Sequence, residues 1–168
     1  MSQRDMTCCF TGHRPQKLPW GYNERDPRAM DMLDRLEQEL DGVFRRGYRH
    51  FLCGMAEGCD LVFAELVLAL REDVPSVTLE AAIPCPGQST RWAVSSRARY
   101  DKILSLCDKI SVISQTYTPD CMMLRNRYMV DRSSLLIACS NGRPGGTMST
   151  IRYAWDQGLH VITIPVEL

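Results

Sequence analysis

Short apolar runs alternate with segments of helical periodicity along the whole sequence, and this order constrains the fold more than any other feature. The apolar runs predict strands at 7–11, 50–53, 77–83, 109–114, 135–139 and 160–164. The segments between them predict helices at 27–46, 59–71, 95–106, 121–132 and 147–157. Buried strands that alternate with helices are typical of a parallel sheet covered on both faces. We therefore expect an α/β fold, a three-layer sandwich around a mainly parallel sheet of about six strands.

Local signals support these boundaries. Asp26 fits the N-cap position of the first helix, Pro27 its first turn and Gly47 its C-terminal stop. The segment 59–71 is apolar nearly all round, which predicts a buried helix. Because no linker, repeat or low-complexity segment interrupts the pattern, we expect residues 1–168 to form a single domain.

The charge balance excludes binding by bulk electrostatic attraction. The chain has 20 basic and 20 acidic side chains, so its formal net charge is zero. A protein that coats nucleic acid or an anionic membrane needs a surplus of surface cations. Seventeen of the 20 basic residues are arginines, whose planar guanidinium binds phosphate or carboxylate. Charged ligands are therefore expected to bind locally, through a few arginines.

The cysteines and histidines do not predict a metal site. The eight cysteines lie mostly in apolar runs and none has the two-residue spacing of a zinc knuckle, so we expect reduced core thiols. The three histidines are scattered. The first ten residues lack an apolar signal region, and the longest nearly apolar stretch, 61–70, is too short to span a membrane. We expect a soluble, cytoplasmic protein without a membrane partner.

Glycine-containing loops follow four of the predicted strands, at 12–15, 54–60, 84–88 and 142–147. In an open parallel sheet, ligands bind in the crevice at the carboxyl ends of the strands. Glycine lets the backbone approach a ligand closely, and the free N–H groups at a helix start can bind an anion. The loops 54–60 and 142–147 lead straight into helices, which predicts a phosphate or diphosphate ligand. The alternative is that the glycines only make tight turns.

Several side chains near these loops are candidates for binding, each with a structural alternative. Arg14 and Arg143 could form bidentate contacts with an anion or be solvated. His13 could contact a ligand, act as an acid or base, or serve as a structural hydrogen-bonding residue. Glu65 could lie at the wet edge of its helix or turn toward the cleft. Trp92 could stack on a base or contribute to packing.

The fourth predicted helix carries a basic, polar set. Arg125, Asn126, Arg127 and Arg132 lie close together in its sequence. Such a set is usually solvated or paired with acids of the same helix. Because the helix follows the fourth strand, one or two of these side chains could reach the cleft.

Five segments in order resemble the YpsA-type branch of the SLOG superfamily, which is named after the Smf/DprA and LOG proteins. They are TGHRP, CGMAEGCDLVFAE, AAIPCPGQSTRWAVSSRARYDKILSLCDKI, RNRYMVDRSSLLIA and GRPGGTMSTIRYAW. The resemblance runs from Thr11 to Ile164. It implies a Rossmann-like domain whose glycine loops bind a nucleotide or a nucleotide-derived ligand. Transferred residue by residue, it implies a pocket that includes Gly12, His13, Arg14, Gly54, Ala56, Glu57, Gly58, Asp60, Glu65, Asn126, Gly145, Gly146 and Thr147.

The resemblance implies different activities in different branches. LOG proteins are phosphoribohydrolases with a PGGxGTxxE motif, in which the glutamate is catalytic. The corresponding PGGTMSTIR here has no carboxylate at Thr150 or Ile151. Hydrolysis by that mechanism is therefore not expected, and no catalytic residue is assigned. DprA proteins bind single-stranded DNA, but the neutral charge gives little sign of the electropositive track that such binding needs.

These observations lead to one main hypothesis and two alternatives. The main hypothesis is a sensor or regulatory protein that binds an ADP-ribose-like or NAD-like ligand, with no cofactor required. The loops and Arg14 would hold phosphate, Asp60 or Glu57 would accept ribose hydroxyls, Trp92 would cover the base, and Arg127 would also reach the ligand. The alternatives are cleavage of a nucleotide N-glycosidic bond and binding of single-stranded nucleic acid, although we do not expect a nucleic-acid partner. Self-association through 121–124 stays open.

Overall fold

The computed structural model describes residues 2–166. Within them, six strands and five α-helices alternate, as the sequence predicts. The strands are β1 (Thr7–Gly12), β2 (His50–Cys53), β3 (Thr78–Ile83), β4 (Lys109–Val112), β5 (Leu135–Ser140) and β6 (His160–Pro165). The helices are α1 (Pro27–Arg45), α2 (Cys59–Asp73), α3 (Val94–Leu106), α4 (Cys121–Asp131) and α5 (Gly146–Asp156).

All six strands form one parallel sheet in the order β4-β3-β2-β1-β5-β6. The chain moves from β1 toward one edge of the sheet, and then crosses to the other side of β1 and continues outward through β5 and β6. A crevice forms at the carboxyl ends of the two strands that flank such a reversal. The topology therefore places a candidate ligand site between β1 and β5.

Two apolar clusters, one on each side of the sheet, define the three layers. Cys8 and Phe10 of β1 belong to the cluster that packs under α1, α2 and α3, whereas Cys9 belongs to the cluster under α4 and α5. Neighbouring residues of a strand point to opposite faces, so the two clusters lie on opposite faces. Phe10 stacks on Phe63 of α2 with ring centroids 4.5 Å apart. The α/β, Rossmann-like three-layer fold is confirmed.

The helix boundaries follow from local chemistry. The Asp26 carboxylate accepts a hydrogen bond of 2.9 Å from the Arg28 N–H, and Pro27 begins α1, as predicted. The predicted burial of α2 is also found, because Leu61, Phe63 and other apolar side chains of its first turns are buried. Differences are confined to the ends: β4, for example, stops at Val112, two residues before its predicted end.

The cysteine side chains are free thiols, and seven of the eight are buried. Burial raises the pKa of Cys9 to about 12, so this thiol stays protonated and unreactive at neutral pH. This agrees with core packing as the predicted use of these residues. Over residues 2–166, no helix is long and apolar enough to cross a membrane.

Candidate functional site

A cavity of about 480 Å³ lies at the carboxyl ends of β1 and β5, and we call this cavity the crevice. The predicted site residues that line it come from three glycine loops and α4, and are Gly12, His13, Arg14, Ala56, Asp60, Asn126, Gly146 and Thr147. Gln16, Lys17, Met122 and Arg125 line it as well, although they were not among the predicted site residues. The fold thus brings together residues up to 135 positions apart, from Gly12 to Thr147.

His13 connects the loops at the two sides of the crevice. Its Nε2 atom accepts a hydrogen bond of 3.0 Å from the Asn141 N–H, which leaves the proton on Nδ1. Nδ1 lies 3.4 Å from the Thr147 hydroxyl oxygen. Burial and the charge of Lys17 lower the pKa of His13, so the ring is neutral at neutral pH. Of the predicted roles, these contacts match the structural one.

Two predicted site glycines allow β1 and α2 to approach each other. A Cβ atom on Gly12 would lie 2.5 Å from Cβ of Cys59, and one on Gly58 would lie 2.7 Å from the His13 carbonyl oxygen. Gly58 also has φ +88°, which side chains rarely adopt. The Cys59 N–H donates to the His13 carbonyl oxygen at 3.2 Å. At these positions, close packing of the backbone requires glycine.

Arg125 forms the floor of the crevice, and it belongs to the α4 set of which one or two side chains were expected to reach the cleft. Its side chain is only 5% exposed, and its Nη1 atom donates to the Gly54 carbonyl oxygen. Its Nε atom donates to the Asn126 side-chain oxygen at 2.8 Å. Within residues 2–166, no carboxylate lies within 4.0 Å of its guanidinium. Burial lowers the pKa of Arg125, but an arginine remains charged.

A signal for this burial is present in the sequence. Cys121, Arg125 and Met129 recur every four residues and are all buried in α4. This spacing places them on one stripe of the helix, which faces the sheet. Arg125 therefore occupies a core position flanked by two apolar residues, whereas Arg127 does not.

Asp60 supplies a carboxylate at the start of α2. It is buried, and its Oδ2 atom accepts a hydrogen bond of 3.1 Å from the Ala56 N–H. Burial raises the pKa of Asp60 to about 6, against the opposing effect of the Arg125 charge. The α2 start therefore has its own acid, and is a poorer phosphate site than its glycine loop alone predicts.

The start of α5 has the opposite electrostatic character. Gly145 is its N-cap without a side-chain hydrogen bond, and the first turn contains no acidic residue. The ammonium of Lys17 lies so close that a Cβ atom on Gly145 would be 2.7 Å from Nζ. A helix start with free N–H groups and a neighbouring cation favours an anion. Lys17, Arg125 and the start of α5 thus provide two cations and free N–H groups for an anion in the crevice.

Trp92 and Glu57 line a neighbouring pocket of about 310 Å³, which we call the outer pocket. It shares Arg14, Gln16, Ala56 and Met122 with the crevice. Trp92 packs edge-on against Tyr100, with ring centroids 5.2 Å apart. The Glu57 carboxylate accepts a hydrogen bond of 3.2 Å from the Tyr22 hydroxyl. Both predicted residues are therefore next to the crevice, though not inside it.

Two predicted ligand-binding residues lie elsewhere. Glu65 is on the exposed side of α2 and forms a salt bridge of 2.5 Å with Arg99. This is the wet-edge position, and Glu65 does not line the crevice because the apolar side of α2 faces the sheet. The Arg127 guanidinium lies 5.0 Å from the centroid of the Tyr153 ring. It lines a groove between α4 and α5, because it is two residues from the inward stripe of α4.

The remaining candidates are distributed around the rim. Asn126 and Gly146 line both the crevice and the groove between α4 and α5, so these two cavities adjoin. Arg143 is exposed in the loop after β5. Within residues 2–166, no three His, Cys, Asp or Glu side chains are grouped so that they could hold a metal ion.

The family model described as the YspA SLOG family, labelled YpsA, matches residues 8–154. The chain belongs to this SLOG family. The match covers the elements from β1 to α5, and with them every loop that lines the crevice. The resemblance that the five motifs carry is thereby confirmed.

Two relatives of this SLOG protein extend over most of its length. The UPF0398 protein BH1768 of Halalkalibacterium halodurans is 28% identical over 140 residues, which cover 81% of this chain and 73% of that protein. The SPbeta prophage-derived protein YoqJ of Bacillus subtilis is 23% identical over 143 residues, which cover 77% of this chain and 84% of that protein. Neither description states a ligand or an activity.

Solved structures of DNA processing protein A (DprA) have the same fold. DprA of Streptococcus pneumoniae aligns with a TM-score of 0.62 and 15% identity over 97% of this chain. DprA of Helicobacter pylori, described for its single-stranded DNA binding mode, aligns with a TM-score of 0.63 and 16% identity over 98% of this chain. The SLOG chain spans about half (51%) of the first DprA and 67% of the second. At this identity, the similarity shows the fold.

Proposed function

We propose that this SLOG protein binds a small, phosphate-bearing, nucleotide-type molecule in the crevice. The observation that carries the proposal is Arg125, a buried guanidinium that lines the crevice without a carboxylate within 4.0 Å among the described residues. Burying a charge is costly unless it is paired. Asp60 offsets the Arg125 charge only from beyond 4.0 Å, and a phosphate between Arg125 and the start of α5 would supply an anion in direct contact.

The rest of the ligand would extend toward the outer pocket. Asp60 faces the crevice and would accept hydrogen bonds from ribose hydroxyls. The outer pocket combines an indole ring, Trp92, with the hydrogen-bonding side chains of Gln16 and Gln88. An aromatic ring beside amide groups suits a nucleobase, which needs both stacking and edge contacts. Phosphate, ribose and base would thus occupy adjacent parts of one depression.

The site favours binding without cleavage, which supports a sensor or regulatory role. In the first turn of α5, where LOG enzymes have the motif with the catalytic glutamate, no residue is acidic. Asp60 and Glu57 are the carboxylates that line the crevice and the outer pocket, and both already accept hydrogen bonds from protein groups. Each carboxylate therefore has one oxygen held by a protein group, and neither occupies the α5 position of the LOG glutamate.

Calorimetric titration with ADP-ribose, NAD and AMP tests the proposal. We expect at least one of them to bind, and we expect Arg125→Lys to weaken that binding at least tenfold because lysine cannot reproduce the planar contacts of arginine. The matched control is Arg132→Lys at the exposed end of α4, which should leave the affinity unchanged. The absence of binding, together with no co-purified nucleotide by mass spectrometry, would overturn the proposal.

The enzyme alternative has its own readout. Incubation with AMP or ADP-ribose, followed by chromatography, detects a released free base. Release that disappears in Glu57→Gln would establish N-glycosidic cleavage in place of simple binding. Binding with no released base supports the sensor role.

Single-stranded DNA is a second candidate ligand, and one specific observation favours it. The crevice adjoins the groove between α4 and α5, where Arg127 and Arg152 lie beside Tyr153. Cations next to an aromatic ring are typical of single-strand binding sites, and a local track does not require a net positive charge on the whole protein. DprA of Helicobacter pylori, which shares the fold, binds single-stranded DNA.

Fluorescence anisotropy with a labelled oligothymidylate at two salt concentrations tests this candidate. Binding that weakens steeply with salt, and about tenfold in Tyr153→Ala, would support it because both phosphate contacts and stacking would contribute. Arg28→Gln removes one exposed positive charge at the start of α1, outside the groove, and is the control for a general loss of charge on oligonucleotide binding. Binding that is absent, or is unaffected by Tyr153→Ala, would exclude the groove as a DNA site.

A further inference from the structure

A separate apolar cavity of about 100 Å³ lies behind the chain segment that follows β1. The side chains of Leu18, Trp20, Met32 and Leu61 contribute to its wall. They come from this segment, from α1 and from α2, so the cavity is on the α1 side of the sheet. No residue that lines it also lines the crevice. It is therefore distinct from the crevice, and it meets the outer pocket only at Tyr22 and Glu57, which line both.

Glu57 places a carboxylate in the wall of this cavity. Its side chain is buried, and one oxygen, Oε1, accepts the hydrogen bond from the Tyr22 hydroxyl. The other oxygen, Oε2, is shielded from solvent and has no hydrogen-bond partner among the residues that the structure describes. Buried carboxylate oxygens are nearly always hydrogen-bonded, because burial without a donor is costly. The wall therefore lacks one hydrogen-bond donor.

The charges around the cavity are predominantly negative. Glu24 and Arg99 also line it, but Arg99 already forms salt bridges with Glu24 at 2.6 Å and with Glu65 at 2.5 Å. In the part of the chain from residue 2 to 166, no basic side chain forms a salt bridge with Glu57. A ligand that satisfies Glu57 would therefore be a donor, and a cation is favoured over a neutral group.

We propose that the cavity binds a primary ammonium group carried on a compact apolar or aromatic body. The ammonium donates to Oε2 of Glu57, and the body packs against Trp20, Met32 and Leu61. The cavity holds about 100 Å³, less than the roughly 150 Å³ of an engineered apolar cavity that binds benzene, so a short branched chain fits directly and a ring requires the mouth to widen. Tyr22 lines the cavity and is 61% exposed, so its ring can move outward and widen the mouth when the ligand enters.

Titration with benzylamine, followed by calorimetry, tests the proposal, and toluene is the uncharged probe of similar shape. We expect benzylamine to bind, and we expect toluene to bind at least tenfold more weakly because it cannot donate to Glu57. Glu57→Gln should weaken benzylamine binding at least tenfold. The control Glu72→Gln removes an exposed carboxylate of α2 that does not line the cavity, and should not change the affinity.

Two further variants show where benzylamine binds. Ala29→Leu fills part of the cavity wall and should abolish binding by exclusion, whereas Arg125→Lys at the crevice should leave benzylamine binding unchanged. The proposal is overturned if benzylamine fails to bind, if toluene binds equally well, or if Arg125→Lys but not Glu57→Gln weakens binding. None of these outcomes bears on nucleotide binding in the crevice, which is measured separately.

Discussion

The guanidinium of Arg125 lies directly against the backbone of Gly54, and the two residues depend on each other. A Cβ atom on Gly54 would lie 2.7 Å from Cζ of Arg125, closer than real Cβ atoms approach other heavy atoms. Arg125 in turn donates to the Gly54 carbonyl oxygen at the end of β2. The glycine after β2 thus makes room for an arginine from α4, and by this means a cation reaches the crevice floor.

Substitution of Gly54 should therefore affect both binding and stability. Gly54→Ala is expected to displace Arg125 from the crevice floor, to weaken nucleotide binding about tenfold and to lower the free energy of unfolding by about 1–3 kcal/mol through overpacking. The measurements are calorimetric titration and urea denaturation.

The control for this change is Gly42→Ala in α1. No atom lies within 4 Å of a Cβ built on Gly42, so this variant should raise the free energy of unfolding by about 0.5–1 kcal/mol. Equal effects of the two substitutions would contradict the proposed dependence of Arg125 on Gly54.

Asp60 should make stability depend on pH in a direction that is unusual for a carboxyl group. Its pKa is about 6 in the folded protein, against a reference value of 3.8. Between these two pH values, the Asp60 carboxyl is therefore protonated to a greater extent in the folded state than in the unfolded state. The free energy of unfolding should therefore fall as pH rises from about 4 to 6. Asp60→Asn should remove this slope and stabilise the protein at pH 7 by up to about 3 kcal/mol.

Urea denaturation of both proteins between pH 4 and pH 8 measures this effect of Asp60. A destabilised Asp60→Asn at pH 7 would contradict it. The same carboxylate repels an anion in the crevice once it ionises, so binding of sulfate, an anion without a ribose, should strengthen as pH falls from 7 to 5. Sulfate does not titrate in that range, and a flat affinity would exclude Asp60 from the anion site.

Glu80 should have the opposite effect on stability. It accepts hydrogen bonds from His50 Nε2 at 2.8 Å, from the Tyr128 hydroxyl at 2.6 Å and from the Ser111 hydroxyl at 2.7 Å. Burial disfavours its charge, but these hydrogen bonds outweigh burial and lower the pKa of Glu80 from 4.5 to about 2. Its contribution is complete above pH 4.5 and is lost as pH falls toward 2.

Glu80→Gln tests this contribution. At pH 7 the variant should lose roughly 2–3 kcal/mol of unfolding free energy, and the difference from the unsubstituted protein should shrink toward pH 2. Glu72→Gln, an exposed carboxylate on α2, is the matched control and should change stability by less than about 0.5 kcal/mol. A difference that persists at pH 2 would show that the hydrogen bonds do not depend on the charge.

The tautomer of His13 is directly observable. Because Nε2 accepts the Asn141 N–H, the neutral Nδ1–H form should predominate at pH 7, with a pKa below 6.5. Nitrogen-15 NMR of the imidazole ring distinguishes the two tautomers. His13→Phe should lower the free energy of unfolding by about 1–3 kcal/mol because it leaves the Asn141 N–H without its partner. A ring that is protonated at pH 7 would contradict this structural role.

Much of the fold was predictable because its signals are local. The apolar runs and the helical spacing are properties of neighbouring residues, and the Asp26–Pro27 cap acts within one turn, so the element order and most boundaries agree with the structure. The positions of the glycine loops were predictable for the same reason. In a parallel sheet, the carboxyl ends of all strands lie at the same edge, and this brings the loops that follow them together.

The identity of the residues in the crevice needed the tertiary structure. Arg125 and Arg127 are two residues apart in one basic run, yet one forms the crevice floor and the other stacks on Tyr153. Likewise, Glu57 lies beside the crevice, whereas Glu65 pairs with Arg99 on the far side of α2. The sequence by itself determined the α/β order and the loops that bound the crevice. Only the packing of α4 against β3 and the loop after β2 decided which charges are buried there, because burial depends on distant residues that sequence spacing does not describe.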